Sequence, residues 1–276
     1  MLNPEAKSSG GVLSPVRRDS TTGRLAVNYG PAVILIIVGL GIWELLIRVL
    51  DVPNFIWPPP SLIAATIRDE IGDIGHHTLV TLGEVVLGFA ISVAAGLAFG
   101  IFLHLSTAVR RGVYPILIAS QSIPTIVLAP VFALIMGFGI GPKLAVISLF
   151  CFFPIVVGTI DGLRSVDPEY VRMMLTLDGN RRAIFRRVEF PAALPQIFTG
   201  TRVAATYAAI GAVFGEWAGA DAGLGWQMLQ AKGRLDTELV FADIVFITAM
   251  ALALFGLVSL IERLTIPWAR TQRERP

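Results

Sequence analysis

The chain has 276 residues, of which 54% are hydrophobic and 15% charged, and its mean hydropathy is +0.72, a composition suited to a bilayer rather than to water. A net charge of +2 makes no electrostatic case for nucleic acid, the single Cys151 excludes an intrachain disulfide, and His76, His77 and His104 lack metal-ligand spacing. No GxxxxGK phosphate loop, Gly-x-Ser-x-Gly or His-Glu-x-x-His occurs, so the chain is not expected to hydrolyse ATP itself, and neither a catalytic residue, a metal nor a cofactor is expected.

Residues 1–28 are polar and rich in Ser, Gly and Arg, without apolar periodicity, and are read as a disordered cytoplasmic tail. Residues 31–50 are apolar throughout and long enough for a first transmembrane helix; no small-residue cleavage site marks a signal peptide. Residues 51–76 are too polar and proline-rich to cross a bilayer and form an external segment, with Pro58, Pro59 and Pro60 as a stiff entry and Ser61 as the cap of a short surface helix.

A second span is expected from about Leu79 to Leu103, interrupted by Glu84, with Gly96 and Gly100 as a small-xxx-small pair for close helix packing. Arg110 and Arg111 mark a short inner loop. The third span, Val113 to Met136, carries Gln121, Ser122, Pro124, Thr125 and Pro130, and lipid cannot satisfy the carbonyls that two mid-span prolines free. This span is therefore the first candidate for lining a pathway. Gly137 to Pro142 is an external turn, and the fourth span returns inward from Lys143 to about Ile160.

The stretch Gly162 to Phe198 is the long polar, basic segment inside the oily chain, carrying Arg164, Arg172, Arg181, Arg182, Arg186 and Arg187, and arginines beside span ends stay on the cytoplasmic side. Asp167 and Pro168 predict the cap and first residue of a short helix with Val171, Met174 and Leu175 on one face. Asp178-Gly179 breaks it, Gly179 being free to take positive φ; Asn180 caps a second helix with Ile184, Phe185 and Val188 on one side; Pro191 and Pro195 end the unit. The charge run alone fits a solvated loop that sets orientation. The exposed methionines and phenylalanine fit a helix that plugs a groove in a soluble partner.

Thr199 to Ala218 is the fifth span, with Arg202 snorkelling toward the inside, Tyr207 in mid-span, the pair Gly211 and Gly215, and Glu216 at the outer end. Residues 219 to about 239 are external with a Gly-Leu-Gly turn, and the sixth span, Phe241 to Leu264, leads into a basic tail. Most of the 22 basic residues thus fall inside, which predicts a cell-membrane protein with both termini in the cytoplasm. Gln121, Ser122, Thr125, Tyr207 and Glu216 are the candidate pathway residues. Helix-to-helix hydrogen bonding is the alternative use of such groups.

The basic loop, with VEFPAALP at Val188 to Pro195, resembles the coupling loop of ABC-importer permeases, whose E-A-A…G…I-x-L-P motif docks on the ATP-hydrolysing subunit. In that alignment Arg172-Met173-Met174 stand where the family has Glu-Ala-Ala, and Asp178 where it has its glycine. Residues 77–263 resemble the type I transmembrane domain of these importers, with the coupling loop at 162–198 and a cytoplasmic tail at 264–276. SIPTIVLAPVFALIMGFGIGPK and FFPIVVGTIDGLRSVDP are similar to permeases for nitrate, sulfonate, taurine and thiamine-pyrimidine precursors; ATYAAIGAVFGEWAGADAGLGWQML is similar to the branch for heteroaromatic vitamins or their precursors, including riboflavin.

The resemblance implies an all-α membrane protein of six transmembrane helices, non-catalytic, paired with a second permease chain, expected as a homodimer. Two ABC ATPase subunits would sit below it and an external solute-binding protein above. It implies Met173, Met174, Leu175, Asp178, Gly179, Arg181 and Phe185 as ATPase contacts. An ion-coupled secondary transporter is the competing reading, but it would carry two matching halves in one chain, and none is seen.

Overall fold

The computed structural model describes residues 21–268, with side chains from Gly30 onward. Among these residues every regular element is helical. The chain divides into two units, Met1–Asp51 and Val52–Pro276. In the first, α1 spans Thr21–Val49, and its stretch Gly30–Val49 is long and apolar enough to cross a membrane. Of the tail expected to be disordered, residues 1–20 lie outside the described residues, and 21–28 are the first turns of α1.

The second unit contains α2 (Pro60–Asp69), α3 (Ile71–Leu105), α4 (Thr107–Ser120), α5 (Thr125–Met136), α6 (Ile140–Arg164), α7 (Pro168–Thr176), α8 (Arg181–Ile184), a π-helical turn (Phe185–Glu189), α9 (Phe190–Trp217), α10 (Leu224–Arg234) and α11 (Thr237–Thr265). α2 begins at Pro60 rather than being capped by Ser61, because proline's fixed φ and missing N–H suit a first helical position. α3 starts eight residues before the expected Leu79.

The expected third span is two helices. α4 and α5 meet at a bend of 97° over the break at residues 121–124, where Pro124 lacks a donor and disfavours helix at the residue before it. Counting the bent pair as one crossing, the described residues hold six candidate spans. The prolines at 191 and 195 do not stop the chain either. α8, the π turn and α9 run on as one 37-residue stretch, Arg181–Trp217. The Phe190 amide donates to the Phe185 carbonyl, and this wider turn takes up the residue that precedes Pro191.

Close packing follows the glycines. A Cβ on Gly88 would fall 2.6 Å from Ile147, on Gly96 2.8 Å from Ile155, and on Gly100 2.7 Å from Thr159, so α3 lies directly on α6. The partners rise in order on both helices, so the two run in the same direction. Against α9 the order falls: a Cβ on Gly200 would lie 2.3 Å from the Pro154 carbonyl, on Gly211 2.9 Å from Ile147, and on Gly215 3.1 Å from Lys143. α9 therefore runs opposite to α6. The N-terminal end of α9 is sealed by Leu163, Ala193 and Ile197, with Phe185, Phe190 and Leu194 packed around them.

Candidate functional site

At the end shared by the C-terminus of α6 and the start of α9, the basic loop forms a helical hairpin. The Asp167 carboxylate accepts from the Glu169 amide at 2.9 Å, Pro168 is the first residue of α7, and Asn180 accepts from the Ala183 amide at 2.8 Å to start α8. α7 closes with the Gly179 amide on the Met174 carbonyl (2.9 Å) and the Asp178 amide on the Leu175 carbonyl (3.3 Å), the paired bonds of a Schellman stop. Asp178, not Gly179, takes the positive φ (55°), which a short polar side chain tolerates. Gly179 is needed for a different reason: a Cβ there would sit 2.5 Å from the Met174 carbonyl oxygen.

This hairpin leaves apolar side chains in the open. Tyr170, Met173, Leu175 and Leu177 are all more than half exposed on or just after α7, while Met174 is half-buried beside Gly179. Arg181 is exposed. Arg182, Arg186 and Arg187, with Asn180 and Ala183, line an open cleft of about 530 Å³. Phe185 points the other way, into the packing around Leu163 and Ala193 and within 6.4 Å of the His104 ring. His104 in turn meets the buried Glu189 at 3.2 Å, tying the C-terminal end of α3 to the π turn.

Gln121 and Ser122 are exposed at the break between α4 and α5, Thr125 is half-buried at the start of α5, and Tyr207 is 42% exposed on α9. α5 packs on α6 and reaches α9, but among the described residues no hydrogen bond joins the polar groups of the break to Tyr207. Arg202 does not snorkel. Its guanidinium pairs with Glu262 of α11 at 2.8 Å and also donates to Thr199.

Glu216 sits apart from these, at the opposite end of α9 from the hairpin, and is 1% exposed. One carboxylate oxygen accepts from the Thr81 hydroxyl at 2.7 Å; the other accepts from the Gly225 amide at 2.6 Å and the Trp226 amide at 3.1 Å. The last two are free amides of the first turn of α10, so Glu216 caps that helix from across the fold. Thr81 also accepts from the Leu224 amide at 2.8 Å, His77 accepts from the Gly223 amide at 3.0 Å, and the Trp217 indole donates to the Gly225 carbonyl at 2.9 Å. Gly223 is at φ +122°, and a Cβ there would lie 2.3 Å from the Glu216 carboxyl carbon. Nearby, Lys143 and Glu84 form a buried pair at 2.7 Å. Asp243 of α11 is fully buried, and neither of its carboxylate oxygens has a hydrogen-bond partner among the described residues.

Thr81, His77 and Lys143 were not singled out from sequence. A usable signal existed: Glu84 and Lys143 are opposite charges near one end of two spans, as Arg202 and Glu262 are near the other. The backbone amides that Glu216 accepts from left no trace in residue types.

The model of the binding-protein-dependent transport system inner membrane component family matches residues 88–267. The formylaminopyrimidine transport permease protein ThiX of Halalkalibacterium halodurans is 36% identical over 231 residues, covering 84% of this chain and 92% of the relative. The riboflavin transport system permease protein RibX of Chloroflexus aurantiacus is 33% identical over 228 residues (82% and 85%), and the taurine transport system permease protein TauC of Escherichia coli is 28% identical over 253 residues (89% and 90%). Among solved structures, a chain of the MetNI methionine ABC transporter in an inward-facing conformation superposes with a TM-score of 0.58 at 17% identity, over 70% of this chain and 98% of that one.

Proposed function

The chain belongs to the binding-protein-dependent transport system inner membrane component family, the permease subunits of ABC importers, and from that premise we propose that it forms half of a pathway for a small heteroaromatic vitamin or vitamin precursor. It is a multi-pass inner-membrane protein whose family works with an ATPase and a solute-binding protein. In the proposed assembly two copies enclose the route, two ATPase subunits grip the hairpins below, and a receptor delivers solute from outside, the termini lying in the cytoplasm.

The observation that carries this reading is the exposed apolar face of α7. Residues that stand in water between two spans and remain more than half exposed are unaccounted for without a partner. Met173, Leu175, Asp178 and Arg181 supply the contact, Met174 and Gly179 shape it, and Phe185 anchors the hairpin to the spans. Gln121, Ser122, Thr125 and Tyr207 offer amide and hydroxyl groups to ring nitrogens and carbonyls passing between two copies.

The solute class is supported by the names of the relatives at 36% and 33% identity, which specify formylaminopyrimidine and riboflavin. The taurine permease at 28% motivates the second reading, the same machine importing taurine, another sulfonate or nitrate. Met173→Asp places a charge on the docking face, and is expected to cut co-purification of the ATPase by at least about tenfold while the permease stays monodisperse. Undiminished co-purification would remove α7 from the interface. In proteoliposomes, riboflavin or the pyrimidine should be taken up with ATP and taurine should not; the reverse selects the second reading.

A further inference from the structure

Glu216 has the chemistry of a solute ligand and the surroundings of a structural pin. Its three hydrogen-bond donors are a side chain of α3 and two amides of α10, and almost none of its surface is open to a passing molecule. We propose that Glu216 is a positioning residue that makes the short outer helix α10 a rigid extension of α9, so that movement imposed on the hairpin at one end of α9 is delivered to the mouth of the pathway at the other.

The geometry supplies each link. α9 begins in the hairpin, with no break between Arg181 and Trp217, and its 28 residues span about 42 Å at the usual helical rise. Along that length Gly200, Gly211 and Gly215 press it against α6 closely enough to move with it as one body. At the outer end the chain turns through Gly219 and Gly223, both at positive φ, a link that sets no angle between the two helices by itself. The angle is set by the carboxylate of Glu216 on the first turn of α10, by the Trp217 indole on the Gly225 carbonyl, and by Thr81 and His77 of α3 on the amides of Leu224 and Gly223. Leu224, Gly225, Gln227 and Ala231 face inward, while Leu229, Lys232, Arg234 and Leu235 stand exposed at the outer surface. Of these contacts Glu216 alone takes two amides of α10 and also receives the Thr81 hydroxyl, so it is the one whose loss loosens the glycine joint most.

This inference rests on the reading of the chain as an ABC-importer permease, and its test separates the two. Nitroxides on Leu229→Cys of α10 and Val203→Cys of α9 report the angle of the joint by pulsed electron resonance in the permease purified with its ATPase; Cys151 is fully buried and stays unlabelled. Because the proposed assembly holds two copies, the labelled chain is diluted with unlabelled permease, and the parent should then give one narrow intramolecular distance. Glu216→Ala should broaden it, as should Gly223→Ala, whose Cβ would occupy the carboxylate's place. Glu216→Gln should restore the narrow distance, because its amide oxygen still accepts from Gly225 and Trp226.

In the same complexes, basal ATP hydrolysis in Glu216→Ala should stay within about twofold of the parent, since the two sites are far apart. The increment added by the solute-binding receptor should fall at least about tenfold and return in Glu216→Gln. A narrow distance in Glu216→Ala overturns the latch, and an unchanged receptor increment overturns its role in transmission. A parent complex that no receptor stimulates counts against the importer reading, while the distance measurement still decides the latch.

Discussion

Lys143 and Glu84 show how a charge survives among apolar spans. The two side chains are 8% and 6% exposed and meet at 2.7 Å, so each is neutralised by the other rather than by water. Removing both charges together costs little, because the desolvation that opposed their burial disappears with them. Removing one strands the other, at a cost of about 3–5 kcal/mol. Lys143→Met should therefore lower the unfolding temperature of the solubilised protein sharply, and adding Glu84→Leu should recover most of the loss. A neutral single substitution would mean that the pair is solvated. Arg202 with Glu262 follows the same logic at the inner end, which is why that arginine turns toward α11 instead of reaching for the interface.

The broken helix α4–α5 is the element proposed above to line the pathway. Pro124 and the residues before it cannot continue an α-helical ladder, and in lipid the freed backbone groups have no partner. Gln121 and Ser122 are exposed at that break, whereas Leu134 and Ile135, the most exposed apolar residues of α5, fit contact with acyl chains. Cysteines at 121 and 122 should react with a water-soluble maleimide in membranes, and one at 134 should not. Unreactive cysteines at 121 and 122 would place the break against protein and take it out of the pathway. The prolines made this element legible as irregular, yet its sharp bend depends on the packing of α5 against α6, which no local pattern encodes. The hairpin was more legible, since caps at Asp167 and Asn180 are written in single residues. What sequence reading missed there, the positive φ at Asp178 and the continuity through Pro191, arises because Asp can adopt the left-handed region and because a π turn absorbs the proline. Glu216 stood out as an intramembrane acid, but its partners are amides that every residue possesses, so its task was hidden until the helices were placed.

At the scale of the second unit, the direction of the helices decides how many times the chain crosses. α3 and α6 rise together, Gly88 with Ile147 through Gly100 with Thr159, so the end of α3 and the start of α6 lie at opposite faces. The bent pair α4–α5 must carry the chain back between them, and it therefore counts as one crossing despite its break. α9 then returns antiparallel to α6. α11 comes back beside α9, since Arg202 near the inner end of α9 meets Glu262 near the end of α11. The hairpin and the end of α11 consequently share one face, and α10 occupies the other. By the positive-inside rule the arginines of the hairpin predict that the first face is cytoplasmic. Arg172 of α7 and Lys232 of α10, both exposed, make this testable with single cysteines in intact cells. A membrane-impermeant maleimide should modify Lys232→Cys directly and Arg172→Cys only after the membrane is opened. Modification of both from outside would break the helix directions inferred from the glycine contacts. The opposite pattern would keep those directions and invert the molecule, moving the exposed face of α7 away from any ATP-hydrolysing partner.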